Sequence, residues 1–256
     1  MQAAAPWLLD FAYAHRGLWG GKYGPENSLS AFEAARSFGL GVELDVRLSA
    51  DGEAVVFHDD TLDRMTSARG YTSSRTAAEL SRLRLRGSDE GIPTLGEALE
   101  ALADAPVLVE LKVNRGSEGP LERRVGYVMA HHQGPCAVMS FNRDTLAELA
   151  EMSPHLPRGL LTSGWRTGRA PLMPWNRRAG IRRFVEAQRV RPDFLACDIA
   201  ALATFGRPAA DEMHVPLLGW TVRNRSQLDR AERNADALIF ENLEPGLVKP
   251  PQPAYA

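Results

Sequence analysis

Cysteine is scarce in this chain. Cys136 and Cys197 are too few for a disulfide framework or a thiolate zinc site. Both sit in apolar stretches, "CAVMSF" and "FLACDIA", which predicts buried, reduced thiols. No apolar run approaches the roughly 18 residues that a membrane span needs. The start, "MQAAAPWLLDFAYAHRG", has no basic head and no long apolar stretch, so no signal peptide is expected. Charge of one sign is also missing. A formal net charge of −2 gives no global basic field for nucleic acid. There is no repeat at a fixed period, no low-complexity linker, and no Gly-rich dinucleotide turn. What remains is a soluble, cytoplasmic globular protein of ordinary composition, with 44% hydrophobic and 24% charged residues.

Short apolar runs alternate with amphipathic helical patterns. Strands are predicted at 11–17, 42–46, 54–58, 106–112, 136–141, 158–163, 193–199, 215–222 and 235–240. Helical patterns between them include "SLSAFEAARSFG", "TLGEALEALAD", "LERRVGYVMAHH", "RDTLAELAEM", "NRRAGIRRFVEAQ" and "SQLDRAERN". This alternation implies a parallel sheet wrapped by helices. Nine strands are one too many for an eight-stranded barrel, and the tight Asp51-Gly52 turn accounts for the extra one. A two-residue link joins only antiparallel neighbours, so 54–58 is a hairpin strand outside the parallel set. The fold class predicted is therefore an α/β TIM (β/α)8 barrel with an extra β-hairpin strand. One catalytic unit is expected over 1–248, with an insertion over about 60–94 and a flexible tail at 249–256. An open doubly wound sheet is the runner-up, and it lacks its phosphate turn.

The stretch "GVELDVRLSADGEAVVFHDD" (41–60) carries the first chemical signal. Val42, Leu44, Val46 and Leu48 share one face of a strand, and Glu43, Asp45 and Arg47 share the other. A two-residue loop pairs Ala50 with Glu53, which sets Asp45 opposite His58. A solvated polar hairpin face would show the same pattern, so other strand ends must decide. In a barrel the C-terminal strand ends face the active site. Here they carry His15-Arg16, Glu43 and Asp45, His58-Asp59, Glu110 and Lys112, Ser140 and Asn142, and Trp220 and Arg223.

Three clustered carboxylates, Glu43, Asp45 and Glu110, repel one another unless a cation joins them. Oxygen ligands suit Mg²⁺ or Ca²⁺ better than zinc. His15 and His58 make an acid–base pair, because imidazole titrates near neutral pH. Arg16 offers a planar fork for phosphate oxygens, and Lys112 adds a point charge. Together these groups describe cleavage of a phosphate ester.

The chain resembles the glycerophosphodiester phosphodiesterase family. The likeness rests on "HRG" (15–17), "PEN" (25–27), "ELD" (43–45) and "FHDD" (57–60). It continues through "LDRMT" (62–66), "IPTLGEAL" (92–99), "VELK" (109–112), "SFN" (140–142) and "GWTVRN" (219–224). The resemblance implies a barrel, a divalent metal on Glu43, Asp45 and Glu110, and His15 and His58 as acid and base. It also implies hydrolysis of glycerophosphodiesters to glycerol 3-phosphate and an alcohol, with the substrate's own glycerol hydroxyl as one candidate first nucleophile. One departure stands out: "LIFENLEP" (238–245) carries Phe240-Glu241 where relatives have a small Thr-Asp-like pair.

Several residues have plainer readings. A lone histidine is more often structural than catalytic. Glu26 and Asn27 are candidate substrate-binding residues, yet they precede a helix that Asn27 or a Ser30-x-x-Glu33 box could cap. Lys112 could form a Schiff base, but Glu110 beside it favours the charged ammonium. Trp220 is either core or a platform for the glycerol carbons. The span 158–191 holds nine arginines and one acidic residue, Glu186, as a solvated face or a steering surface for anions. It has no apolar face for stable membrane insertion. The rivals to a soluble glycerophosphodiesterase are a lipid-directed lysophospholipase D and a barrel that binds metal and phosphate without turnover.

Overall fold

The computed structural model describes residues 5–163 and 190–248. Its nine strands are β1 (Tyr13–His15), β2 (Gly41–Leu48), β3 (Ala54–Val56), β4 (Val107–Leu111), β5 (Cys136–Ser140), β6 (Arg158–Thr162), β7 (Phe194–Asp198), β8 (Leu217–Val222) and β9 (Ala237–Phe240). Eight run parallel in the order β1-β9-β8-β7-β6-β5-β4-β2, and pairing of β1 with β2 closes the ring. The extra strand β3 runs antiparallel to the end of β2, outside the ring. This is the predicted barrel.

Strand alternation sorts the side chains into two layers. Leu108, Met139, Leu161, Phe194, Leu218 and Ile239 fill the interior, while Val42, Leu44, Val46, Val109 and Phe240 face the helices. The floor is a 3₁₀ turn, Pro6–Leu9, whose Leu8 is buried among the interior residues. The Tyr13 hydroxyl donates to the Leu8 carbonyl at 3.1 Å and spans the barrel beside Gly41. A methyl on Gly41 would lie 2.5 Å from the Tyr13 ring and 3.2 Å from the Pro106 carbonyl oxygen. Gly41→Ala is therefore expected to cost about 1–3 kcal/mol through overpacking, read as a lower urea midpoint at unchanged slope.

Helices α1 (Leu29–Ser37), α2 (Ala77–Leu80), α3 (Leu95–Leu102), α4 (Pro120–Ala130), α5 (Arg143–Met152), α6 (Arg207–Met213) and α7 (Arg225–Asn234) are placed by side-chain caps at several starts. Thr94 and Glu97 form a reciprocal capping box on α3, and Asn142 and Asn224 cap α5 and α7. The N-cap of α1 is Ser28, whose hydroxyl accepts from the Ala31 amide, so the expected Ser30–Glu33 box does not form. Ser30 instead donates to Glu90, which ties the 60–94 excursion to α1. α6 escaped the sequence reading because Gly206 and Pro208 look like breakers. Pro208 sits in the first turn, where its missing N–H costs nothing. The predicted helix at 176–188 and the tail at 249–256 lie outside the described residues.

The hairpin register differs from the expected one. Val46 pairs with Val56 and Leu48 with Ala54, and the Ser49 amide donates to the Glu53 carbonyl at 2.9 Å. The loop is thus Ala50-Asp51-Gly52, with Gly52 at φ 81° in the left-handed region that closes three-residue hairpins. Asp51 favours the wider loop by accepting from the Ser49 hydroxyl at 2.6 Å and the Ala77 amide at 2.9 Å. Phe57, not His58, therefore stands across from Asp45, donating its amide to the Asp45 carbonyl at 3.0 Å. A one-residue slip would turn His58 away if the ladder continued. It stops at Val56, so the chain beyond is free to bring His58 back to the pocket.

The excursion has a core of its own. Val55 and Phe57 pack with Leu62, Leu80, Leu85 and Ile92 in a cluster separate from the two cores of the ring. That cluster fixes the segment carrying Asp59 and Arg64 at the rim.

Candidate active site

The C-terminal ends of β1, β2, β4, β5, β6, β8 and β9 surround a cavity of about 160 Å³. One side is polar: His15, Arg16, Glu43, His58, Glu110 and Lys112. The other is largely apolar: Met139, Phe141, Leu161, Trp220 and Ile239. Phe141 and Trp220 meet edge to face at 5.6 Å, and the buried Trp220 indole nitrogen has no hydrogen-bond partner.

Glu43, Asp45 and Glu110 lie on adjacent strands with Asp45 in register with Glu110. All three are buried, and one carboxylate oxygen from each lies within 4.8 Å of the others. Lys112 reaches Asp45 at 3.0 Å and Glu110 at 2.6 Å, and Arg16 Nε reaches Asp45 at 3.2 Å. Burial opposes ionisation of Asp45, but these two cations outweigh it and hold its carboxyl below the usual carboxylate range. Burial pushes Glu43 well up, with the charges of Asp45 and Glu110 adding to it. Burial likewise lifts Glu110, to about 7. Glu43 Oε1 is buried and accepts no hydrogen bond. Two cations thus face three acids, and the deficit falls on Glu43. An orphaned buried carboxylate oxygen inside an all-oxygen cluster fits a hard divalent cation.

Both imidazoles border the cavity, and each has Nδ1 against a carboxylate. His15 Nδ1 is 2.5 Å from Glu241 Oε2, with Nε2 3.9 Å from Glu43. His58 Nδ1 is 2.7 Å from Asp59 Oδ1, and Arg47 Nε donates to the His58 carbonyl at 2.7 Å. Burial lowers the His58 pKa, with Lys112 and Arg16 adding to the effect.

Arg16 adopts φ 62°, uncommon for a residue with a side chain, and its amide donates to the Glu43 carbonyl at 2.7 Å. Its guanidinium is held by Glu26 at 2.8 Å. Glu26 and Asn27 do not border the cavity. Glu26 supports Arg16, and Asn27 donates to Asp45 Oδ2 at 2.9 Å. Arg64 connects the two sides: it donates to Glu26 at 2.6 Å and to Asp59 at 2.6 Å. Of the arginine-rich span, Arg158 is a buried strand residue whose guanidinium donates to the Leu156 carbonyl at 2.8 Å, so it steers nothing. Residues 164–189 are outside the described part.

Asp59 and Arg223 were expected at strand ends without a role, and Arg64 and Glu241 were not among the expected site residues. Glu241 had a signal: Ala237 and Ile239 point inward, so alternation aims 241 inward too, while Phe240 packs outward. Arg64 lies in the matched "LDRMT" (62–66), but no periodicity places a loop side chain.

The model of the Glycerophosphoryl diester phosphodiesterase family matches residues 15–244, from the last residue of β1 to beyond the end of β9. The chain belongs to this family. A glycerophosphodiester phosphodiesterase of Caldanaerobacter subterraneus subsp. tengcongensis is 35% identical over 243 residues, covering 90% of this chain and 93% of that one. An Oleispira antarctica phosphodiesterase, solved with the product sn-glycerol-3-phosphate, superposes with a TM-score of 0.75 at 27% identity. It covers 93% of this chain and 95% of its own. A Thermotoga maritima glycerophosphodiester phosphodiesterase gives a TM-score of 0.69 at 27% identity, over 90% of this chain and 94% of that one. Among the described residues, no helix is long and apolar enough to cross a membrane.

Proposed function

We propose that this phosphoric diester hydrolase cleaves small glycerophosphodiesters to glycerol 3-phosphate and an alcohol, as one catalytic unit over 1–248. His15 and His58 are the acid–base pair in this reading, and Glu43, Asp45 and Glu110 hold a divalent ion, Mg²⁺ or Ca²⁺. The observation that carries it is the buried acidic triad beside a cavity that both histidines border. When bound, the ion would offset the triad's charge and stabilise the non-bridging phosphate oxygens. Arg16 and Lys112 add fixed positive charge on the same wall. One imidazole takes the proton of the attacking hydroxyl, from water or from the substrate's own glycerol. The other gives a proton to the departing alkoxide as the P–O bond breaks. Trp220 and the apolar wall suit the glycerol carbons, and a cavity of about 160 Å³ suits a glycerol phosphate better than an acyl chain.

The test is release of the head-group alcohol, choline or ethanolamine, from glycerophosphocholine, glycerophosphoethanolamine and lysophosphatidylcholine, before and after chelation. Activity on the two soluble diesters should vanish with chelator and return with Mg²⁺ or Ca²⁺. Faster turnover of the lysolipid would favour the lipid-directed reading, and binding of glycerol 3-phosphate without any cleavage would leave only a binding barrel.

A further inference from the structure

We propose that Glu241 is a positioning residue, whose carboxylate holds a proton on His15 Nδ1 and so turns Nε2 toward the cavity. The inference rests on His15 being a reacting group, and it concerns how that group is set.

The geometry is specific. Glu241 has Oε2 2.5 Å from His15 Nδ1 and receives the Arg223 Nε proton on Oε1 at 2.5 Å. Its side chain is 11% exposed, against 48% for Arg223, so the pair is shielded on the histidine side. The backbone is held as well, since the Glu241 amide donates to the Val222 carbonyl at 3.0 Å. The Arg223 amide in turn donates to Gln227 at 2.7 Å, at the start of α7. Burial raises the Glu241 pKa, but its bonds to His15 and Arg223 outweigh that and bring it down to about 2. The carboxylate is therefore ionised at neutral pH and can only accept. Nδ1 must then carry the proton, and Nε2 is the nitrogen left for the reaction. His58 shows the same construction from other elements, with Asp59 on its Nδ1 and Arg64 on Asp59. Two independent arginine–carboxylate–imidazole chains around one cavity are hard to assign to packing alone. Phe240, which faces the helices, supplies the packing at this strand end.

Arg223 also decides what an amide would do in place of the acid. In Glu241→Gln the single carbonyl oxygen would turn to the Arg223 donor. The NH₂ would then face His15 and force Nδ1 to accept, which moves the ring proton to Nε2. Glu241→Ala removes the carboxylate and leaves the ring free to sample both tautomers. A purely structural role predicts that the isosteric Gln variant is the milder of the two. A positioning role predicts the reverse.

The experiment uses the full chain with histidine ¹⁵N labelling and steady-state assays on glycerophosphocholine. In the parent protein the His15 nitrogen shifts should report Nδ1–H, and in Glu241→Gln they should report Nε2–H. Turnover of Glu241→Gln should fall on the order of 10–10²-fold with KM changed less than about threefold, at least as far as for Glu241→Ala. Unchanged His15 shifts in Glu241→Gln, or a Gln variant clearly more active than the Ala variant, would overturn the inference. His15→Ala separates the two levels: if it keeps turnover, the acid–base reading of His15 fails whatever tautomer Glu241 imposes.

Discussion

His58→Ala and His15→Ala should each lower kcat by roughly 10²–10⁴-fold, the usual contribution of a positioned general acid or base. The fold should tolerate both changes. His58 lies beyond the end of the β3 ladder with a side chain 32% exposed, and its carbonyl contact to Arg47 survives the substitution. His15 ends β1 with its backbone still paired to Glu43. Burial lowers the His58 pKa, so the substitution is not expected to strip a buried charge from the site. Steady-state kinetics beside thermal melts give the measurement. Near-parent kcat in both variants would refute the acid–base assignment, whereas a collapsed melt would show the residues to be structural.

Glu43→Gln is the second large effect, and it works in two directions. The metal-free site confines three buried carboxylates with two cations, and Glu43 carries the strain of that imbalance. Removing its charge should raise the melting temperature of the chelated protein by a few degrees, since about 1 kcal/mol corresponds to roughly 2–4 °C in a chain of this size. The same change should abolish stabilisation by added Mg²⁺ or Ca²⁺ and reduce turnover by two or more orders of magnitude. The pH sense follows from linkage. Glu110, lifted from 4.5 to about 7, keeps its proton in the folded state after the unfolded chain has lost it. Stability of the metal-free protein should therefore fall as pH rises from about 4.5 toward 7. Chelated Glu43→Gln melting below the parent protein would sink this account.

The ring, its extra strand and the polar strand ends were readable because each rests on a local rule. A period of two separates Glu43 and Asp45 from Val42 and Leu44, and a link as short as Asp51-Gly52 cannot return a strand in parallel. The hairpin register was misread by one residue, since Asp51 uses its side chain to hold a wider loop that no propensity encodes. The contacts of Arg64, within "LDRMT" (62–66), were unreadable for a similar reason. Its place depends on how the packed excursion, with Leu62 and Leu80 at its centre, lies against the ring. Ser28 rather than Ser30 capping α1 is the same lesson on a smaller scale, because Ser30 finds its partner in Glu90, far along the chain.

His15 and Glu241 are 226 positions apart, one ending the first strand of the ring and the other just past the end of the last, so they meet only where β1 and β9 join. During synthesis the histidine, the acidic triad and both basic side chains emerge early, yet the imidazole proton has no fixed address until the final strand docks. In the proposed mechanism, catalytic competence is then an event of closure: an incomplete polypeptide would hold nearly every reactive group yet lack the carboxylate that sets the His15 ring.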